Sequence, residues 1–534
     1  MSQNIIIKSV PKKILMLLVL LVLQSCTSTS VLKRQSSYSL IESSIATAHS
    51  AIKDNVTNCE AITRQFIKRI KVYDKSTSLN SIILINNNAV NRSKTLDTEY
   101  QKTKQLRALH CIPVILKDNF DTEDMPTQAG SIALKGSLPK DDAFMVKRLR
   151  EAGAIIIAKS NMGEWAFSPY NTISSTLGET RNAYNLEHVP AGSSGGTASA
   201  IAASFGIIGM GTDTGNSIRG PASHLALVGI RSTMGLTSRD GVVPLVLNRD
   251  IAGPLTRSVA DAAKTFNVIA GYDLADPITH NVYAKKKVDY TLYLNKESLK
   301  GVRLGVIREM FESELADFEV LDLMEQAIRD LKAAGAIIVD PVSIKGFKKL
   351  SEATGFCSRF RFDLNNYLKN SATDSTPIKS FQNIVDQALF SERNLENIQW
   401  AASVTIAPQK MQPPCIDVQG DPRRRQFLDA VVNAMNAQNV DALIYPSWSN
   451  PPRKIADSNS PHGNNSPVIA PHTGQPAITV PMGYTQGNLP AGLQFLARPY
   501  DDARLFGYAF AYEQQTQHRK PPALFPAIKI PQSH

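Results

Sequence analysis

Between Cys59 and Tyr73 the apolar residues Ile62, Phe66, Ile67, Ile70 and Tyr73 recur every three to four positions, with Lys68, Arg69 and Lys71 on the opposite face. This period predicts an amphipathic packing helix. Further along, the period shortens. Leu109 to Leu116 is a β-branched run with a proline near its start, predicting a buried strand that ends at Lys117. Asp141 to Ala152 predicts a helix, and Ala154 to Ala158 a second apolar strand followed by Lys159, Ser160 and Asn161. Thr197 to Ser204 contains only Thr, Ala, Ser and Ile, a composition suited to a helix packed too closely for large side chains. Ile207 to Met210 predicts a strand, with residues 212–219 as the loop after it. Beyond Leu299 come a strand at Val302–Ile307, a helix at Val320–Ala334, strands at Ala336–Val339 and Asp441–Tyr445, and a short apolar run at Ala477–Val480. Alternation of strand and helix predicts an α/β fold, with a mixed, largely parallel central sheet covered by helices on both faces. Functional groups in such sheets gather at the carboxyl ends of strands, and Lys117 stands at one.

Two regions break the alternation. Residues 340–420 are less periodic and carry several aromatic residues, and read as a substrate-facing insertion; residues 448–467 read as a Pro- and Asn-rich loop. Neither an internal repeat nor a linker divides the chain, so residues 37–530 are expected to form one large domain. The N-terminus is different in kind. Lys8, Lys12 and Lys13 precede an apolar run from Ile14 to Leu23, too short to span a bilayer comfortably, and residues 1–25 therefore read as a secretory leader. Leu23-Gln24-Ser25-Cys26 resembles a bacterial lipobox, so Cys26 is expected to carry lipid. Residues 26–36, rich in Ser and Thr, would be a tether to the membrane, and the folded part would lie outside the cytoplasm, on the periplasmic side of a bacterial cell envelope.

Composition narrows the function without naming it. With 534 residues, 43% hydrophobic and 20% charged, the chain is globular and long enough for a large core. The formal charge of +11 could favour anionic partners, but no basic run is longer than three residues, as at Arg423-Arg424-Arg425, and no nucleic-acid partner is expected. Four cysteines beyond Cys26, at 59, 111, 357 and 415, are too few for a disulfide scaffold and leave open which of them pair. No CxxC or HExxH spacing occurs, so neither a metal nor another cofactor is implied.

Chemistry concentrates between residues 191 and 222. Gly192-Ser193-Ser194-Gly195-Gly196 fits G-x-S-x-G with Ser194 central, but a nucleophile elbow needs a preceding strand and later Asp and His partners. Residues 185–191 do not read as a strand, and His462 and His472 lie in Pro-rich loops. A second serine lies in GTDTGNSIRGPA, residues 211–222. There Gly215 allows backbone N–H groups to turn inward beside Ser217, as an oxyanion requires; alone, such a loop reads more often as a tight turn with a capping serine.

Taken together, Lys117 after its strand, the GSSGG run and GTDTGNSIRGPA resemble the amidase signature family. The resemblance extends from the helix at Ile62 through PTQAG at 126–130, TMGLTS at 233–238 and PAGLQF at 490–495, and the segments around Thr180-Arg181-Asn182 and residues 238–244 look closest to bacterial peptide-amidase-like members. It implies hydrolysis of small-molecule or peptide amides through an acyl-enzyme, with Ser217 as nucleophile, Ser193 as a relay behind a cis peptide bond, and Lys117 as base. It further implies an oxyanion hole at Thr214, Gly215 and Asn216, with Ser194, Asp213 and Arg219 in support, and a pocket lined by residues 163–167. Lys117 could accept a proton only when neutral, which demands burial and no ion-pair partner; Asp118, next along the strand, would point to the opposite face. Asn216 departs from the family, which usually has glycine there, and is expected to narrow the pocket or make it more polar. Two other readings follow from the same residues: the glutamine-hydrolysing subunit of a tRNA-dependent amidotransferase, which the leader opposes, and a binding lipoprotein without turnover, which the intact serine and lysine set opposes.

Overall fold

A computed structural model describes residues 38–282 and 287–528. The leader, Cys26 and the tether lie outside the described residues. From Ser39 the chain forms one compact unit, and no described helix is long and apolar enough to cross a membrane.

The strands in chain order are β1 (Ile82–Ile85), β2 (Pro113–Lys117), β3 (Ile155–Ser160), β4 (Ile173–Ser174), β5 (Gly178–Glu179), β6 (Ile208–Asp213), β7 (Val228–Arg231), β8 (Ile251–Thr256), β9 (Arg303–Val306), β10 (Ile337–Val339), β11 (Ala442–Pro446), β12 (Ala477–Thr485) and β13 (Leu489–Leu496). β4 and β5 form a small ribbon; the other eleven make one mixed sheet in the order β1-β3-β2-β6-β8-β7-β12-β13-β11-β9-β10. Its parallel pairings fall in two blocks, β3-β2-β6 and β11-β9-β10. An antiparallel run from β6 through β8, β7, β12 and β13 to β11 joins them. β2 and β3 are buried along their whole length, which explains why they read as continuous apolar runs and not as alternation.

Local pattern and structure part at instructive places. The helix Cys59–Tyr73 forms over the predicted span, but Arg69, expected on its solvent face, is 1% exposed. Its guanidinium donates to the carbonyls of Ala203, Phe525 and Pro526, anchoring the chain's last described residues. Leu109 to Ile112 turns before β2 begins at Pro113, with Cys111 at φ 65° and bridged to Cys59. β12 runs past Val480 to Thr485, because a bulge between Pro481 and Gly483 absorbs the residues that read as strand breakers.

The 340–420 region is helical. Phe360–Ser371, Phe381–Asp386 and Leu395–Ser403 pack Phe360, Leu364, Phe381 and Ile398 around Trp165 in a separate core beside the main sheet. A second disulfide, Cys357–Cys415, ties the start of this region to its end.

Candidate active site

Lys117 ends β2 and is fully buried. Its Nζ lies 2.7 Å from Ser193 Oγ and 2.7 Å from Thr212 Oγ1, and Thr212 Oγ1 also accepts from Asn119 Nδ2 at 3.2 Å. Burial drives the lysine's pKa down to about 7, against a weaker opposing pull from Asp250 and Asp213. Asp118 turns away: its Oδ2 accepts from the Gly130 amide at 3.1 Å, and burial raises its pKa to about 6.

Ser193 follows a cis peptide bond, Gly192–Ser193. The glycines of its run are required by close backbone approach. A Cβ at Gly192 would sit 2.1 Å from Asn171 O, one at Gly195 2.3 Å from Thr172 Oγ1, and one at Gly196 2.1 Å from Asn161 O. Residues 185–191 form no strand, and the last two glycines of the run open the helix Gly195–Ala202. Ser194, central in the run, donates from Oγ to Thr212 O at 3.2 Å and accepts from Thr212 N at 3.3 Å. It thereby couples the run to β6, which carries the lysine's other hydroxyl partner.

The loop after β6 holds Ser217, 5% exposed. The amides of Ile218 and Arg219 both donate to Asp213 Oδ2, whereas those of Thr214, Gly215, Asn216 and Ser217 donate to no acceptor among the described residues. Asp213 is fully buried, which by itself would raise its pKa; the guanidiniums of Arg219, 3.1 Å away, and Arg231, 3.0 Å away, outweigh burial and hold it below the usual carboxylate range. Arg219 also donates to Gly215 O and to Gln494 Oε1 at 2.8 Å. Thr214 Oγ1 donates to Asp250 Oδ1 at 2.5 Å, and Asp250 Oδ2 accepts from the amides of Leu245 and Val246. Neither Gly215 nor Asn216 has positive φ, so the side chain at 216 brings no left-handed strain. It is buried against Gly220, where an added Cβ would lie 2.6 Å from Asn216 Nδ2.

A cavity of about 360 Å3 opens over Ser217, with Thr214, Gly215 and Asn216 in its wall. Its apolar lining comes from Phe167, Tyr170, Leu245, Phe356, Phe360 and Trp400, so the 340–420 region does face the serine, and Asn465 and Pro467 bring in the loop predicted at 448–467. A Cβ on Gly215 would meet Phe356 Cζ at 3.5 Å; that ring sits over the loop, backed by Arg249 at 4.1 Å. Of residues 163–167, Ala166 and Phe167 line the cavity while Trp165 is buried in the adjoining core.

The nine residues singled out in the sequence thus lie in one continuous region. Sequence reasoning missed three contributors: Thr212, present inside a recognised motif but without an assigned part; Asp250, in a segment with no motif at all; and Phe356, one of several aromatic residues in an aperiodic stretch.

The Amidase family model matches residues 61–506. A protein of Arabidopsis thaliana described as a probable amidase is 30% identical over 524 residues, covering 95% of this chain and 97% of that protein. A glutamyl-tRNA(Gln) amidotransferase subunit of Caldanaerobacter subterraneus is 30% identical over 471 residues, covering 86% of this chain and 93% of that one. Among solved structures, the peptide amidase of Stenotrophomonas maltophilia superposes with a TM-score of 0.79 at 33% identity, covering 90% of this chain and 99% of that one.

Proposed function

The chain belongs to the Amidase family, and from that premise we propose that it is a serine amidohydrolase cleaving carboxamide bonds of amides with a bulky apolar acyl part, with Ser217 as nucleophile. The observation that carries this reading is a fully buried amine, Lys117, held by two hydroxyls and with a pKa near 7. An amine poised in this way can take a proton at neutral pH.

In the proposed cycle, Ser217 Oγ attacks the carboxamide carbon while its proton passes to Ser193 and the proton of Ser193 passes to Lys117. The oxyanion is met by the unengaged amides of the 214–217 loop, held in place by Asp213, Arg219 and the Thr214–Asp250 bond. Lys117 returns the proton through Ser193 to the departing nitrogen, ammonia or amine leaves, and water opens the acyl ester by the reverse relay. Ser194 positions Thr212 and so acts on the lysine from behind. The apolar lining of the cavity supports a bulky acyl group, as does the likeness to a peptide amidase. A lipid anchor at Cys26 and a periplasmic location belong to the same proposal, supported by the leader-like sequence and by two disulfides, which persist in oxidising compartments.

The test is ammonia release from a panel of amides that includes phenylacetamide, C-terminally amidated peptides and glutamine, with fluorophosphonate labelling in parallel. Release and labelling that both vanish in Ser217→Ala are expected. A parent protein that neither releases ammonia nor takes the label would overturn the reading.

A further inference from the structure

The cavity over Ser217 shares part of its wall with two further hollows. Phe167, Pro169, Tyr170 and Asn397 also line a second hollow of about 460 Å3. Tyr170, Asn171, Ile173 and Arg393 are shared between that hollow and a third of about 320 Å3. Tyr170 borders all three, its ring stacked on His462 at 3.9 Å. Tyr170 thus stands between the apolar chamber and an arm of different character, within reach of a substrate longer than the chamber.

The charges lining that arm are Arg393, Arg453 and Lys454 against Glu164, Glu179 and Asp457. They are not equally available. Asp457 lies 3.9 Å from Arg453 and caps the amides of Asn459 and Ser460. Glu164 is 1% exposed; its Oε1 accepts from Ser175 Oγ at 2.5 Å, and its Oε2 from the Ser391 amide at 3.0 Å and Asn394 Nδ2 at 2.7 Å. Both oxygens are thus committed to neutral donors, and two of those donors flank Arg393 in sequence. The buried carboxylate clamps the turn Glu392–Asn394 and so fixes where Arg393 emerges. Arg393 itself is exposed and makes no ion pair among the described residues, although Glu179 is near enough to feel its charge. Lys454 is likewise exposed and unpaired among the described residues.

We infer that this arm is a subsite for an anionic group, a carboxylate, carried on the acyl part of the amide remote from the scissile bond, and that Arg393 is its specificity-determining residue. The inference rests on the amidohydrolase reading and extends it to the far end of the substrate. The substrate class is then an amide with an apolar or aromatic group next to the carbonyl and a carboxylate further along the acyl chain. A guanidinium on a clamped turn can meet a carboxylate with two parallel hydrogen bonds, while the mouth of the arm keeps the pair partly in water and limits its strength.

The experiment measures kcat/KM for ammonia release by the full chain from N-acetylated peptide phenylalaninamides carrying Glu, Gln or Lys at either of the two positions before the phenylalaninamide. Phenylacetamide, too short to reach the arm, is the reference. The parent is expected to favour Glu over Gln by about three- to five-fold at low salt, the size of a half-exposed ion pair, and to lose that margin in high salt. Arg393→Glu should reverse the order towards Lys and leave phenylacetamide turnover unchanged, since Arg393 is exposed and supports no other described contact. Equal kcat/KM for Glu, Gln and Lys at both positions, with phenylacetamide still hydrolysed, would overturn the subsite alone. An unchanged order in Arg393→Glu would do the same. Absence of ammonia from every amide would overturn the subsite together with the hydrolase reading beneath it.

Discussion

Lys117 and Lys159 stand at or next to the carboxyl ends of the neighbouring parallel strands β2 and β3, both fully buried, and they differ in what their amines meet. Lys117 Nζ has two hydroxyls, Ser193 and Thr212. Lys159 Nζ donates to Phe120 O at 2.5 Å, Thr127 Oγ1 at 3.0 Å and Pro126 O at 3.3 Å. Thr127 spends its own proton on Phe120 O, so all three partners of Lys159 can only accept, and together they use the three protons of an ammonium. Burial lowers the pKa of this lysine too, and the negative charge of Asp118 and Asp121 opposes that shift without cancelling it. A hydroxyl can donate as well as accept, so the surroundings of Lys117 also suit a neutral amine. Burial alone therefore does not make a base; the kind of partner decides whether the proton can leave.

Three changes would break or sharpen this contrast, in descending order of effect on turnover. Lys117→Ala should lower kcat/KM by about 10²- to 10⁴-fold, the span of a general base. In the parent protein, kcat/KM should rise with pH through about 7 and level off above, because below that value Lys117 is an ammonium and cannot accept a proton. A profile flat between pH 6 and 8 would count against Lys117 as the base. Thr212→Val should lower kcat by roughly ten-fold, equivalent to one hydrogen bond of about 1.4 kcal/mol. It should also move the acid limb to lower pH, since the lost hydroxyl stabilises the charged amine; a limb that stays in place would assign Thr212 a purely structural part. Lys159→Met should leave both turnover per folded molecule and the acid limb unchanged, and instead cost roughly 3 kcal/mol of stability by stranding buried acceptors, read as a lower denaturation midpoint. A shifted acid limb in that variant would blur the distinction between the two lysines.

Much of the fold and of the candidate site was legible in the sequence wherever the cause is local. The all-apolar run before Lys117, the small-residue helix after the GSSGG run, and the glycines that let the backbone approach Asn161 and Asn171 each leave a mark in their own few residues. The segments that resisted reading have causes elsewhere. Arg69 looks like a solvent-face residue by helical period, and only carbonyls at 203, 525 and 526 explain its burial. Residues 340–420 read as aperiodic because their helices are short and pack around Trp165, in a core supplied in part by another segment. The pairings Cys59–Cys111 and Cys357–Cys415 carry no spacing signal, and Asp250 has no neighbour in sequence that hints at Thr214.

The sequence by itself determined the strand that ends at Lys117, the two serine-bearing loops and the apolar runs that place them in an α/β sheet, because periodicity and the conformational demands on glycine act over a few residues. Only the tertiary structure decided which of two buried lysines meets two hydroxyls and which meets acceptors alone, since the hydroxyls that meet Lys117 come from 76 and 95 residues away and desolvation is a property of the whole enclosing fold. It decided as well that Phe356 lies over the loop that carries Ser217 and that Arg393 emerges into the cleft: the first is backed by Arg249, the second is clamped by Glu164, and both partners are remote in the chain.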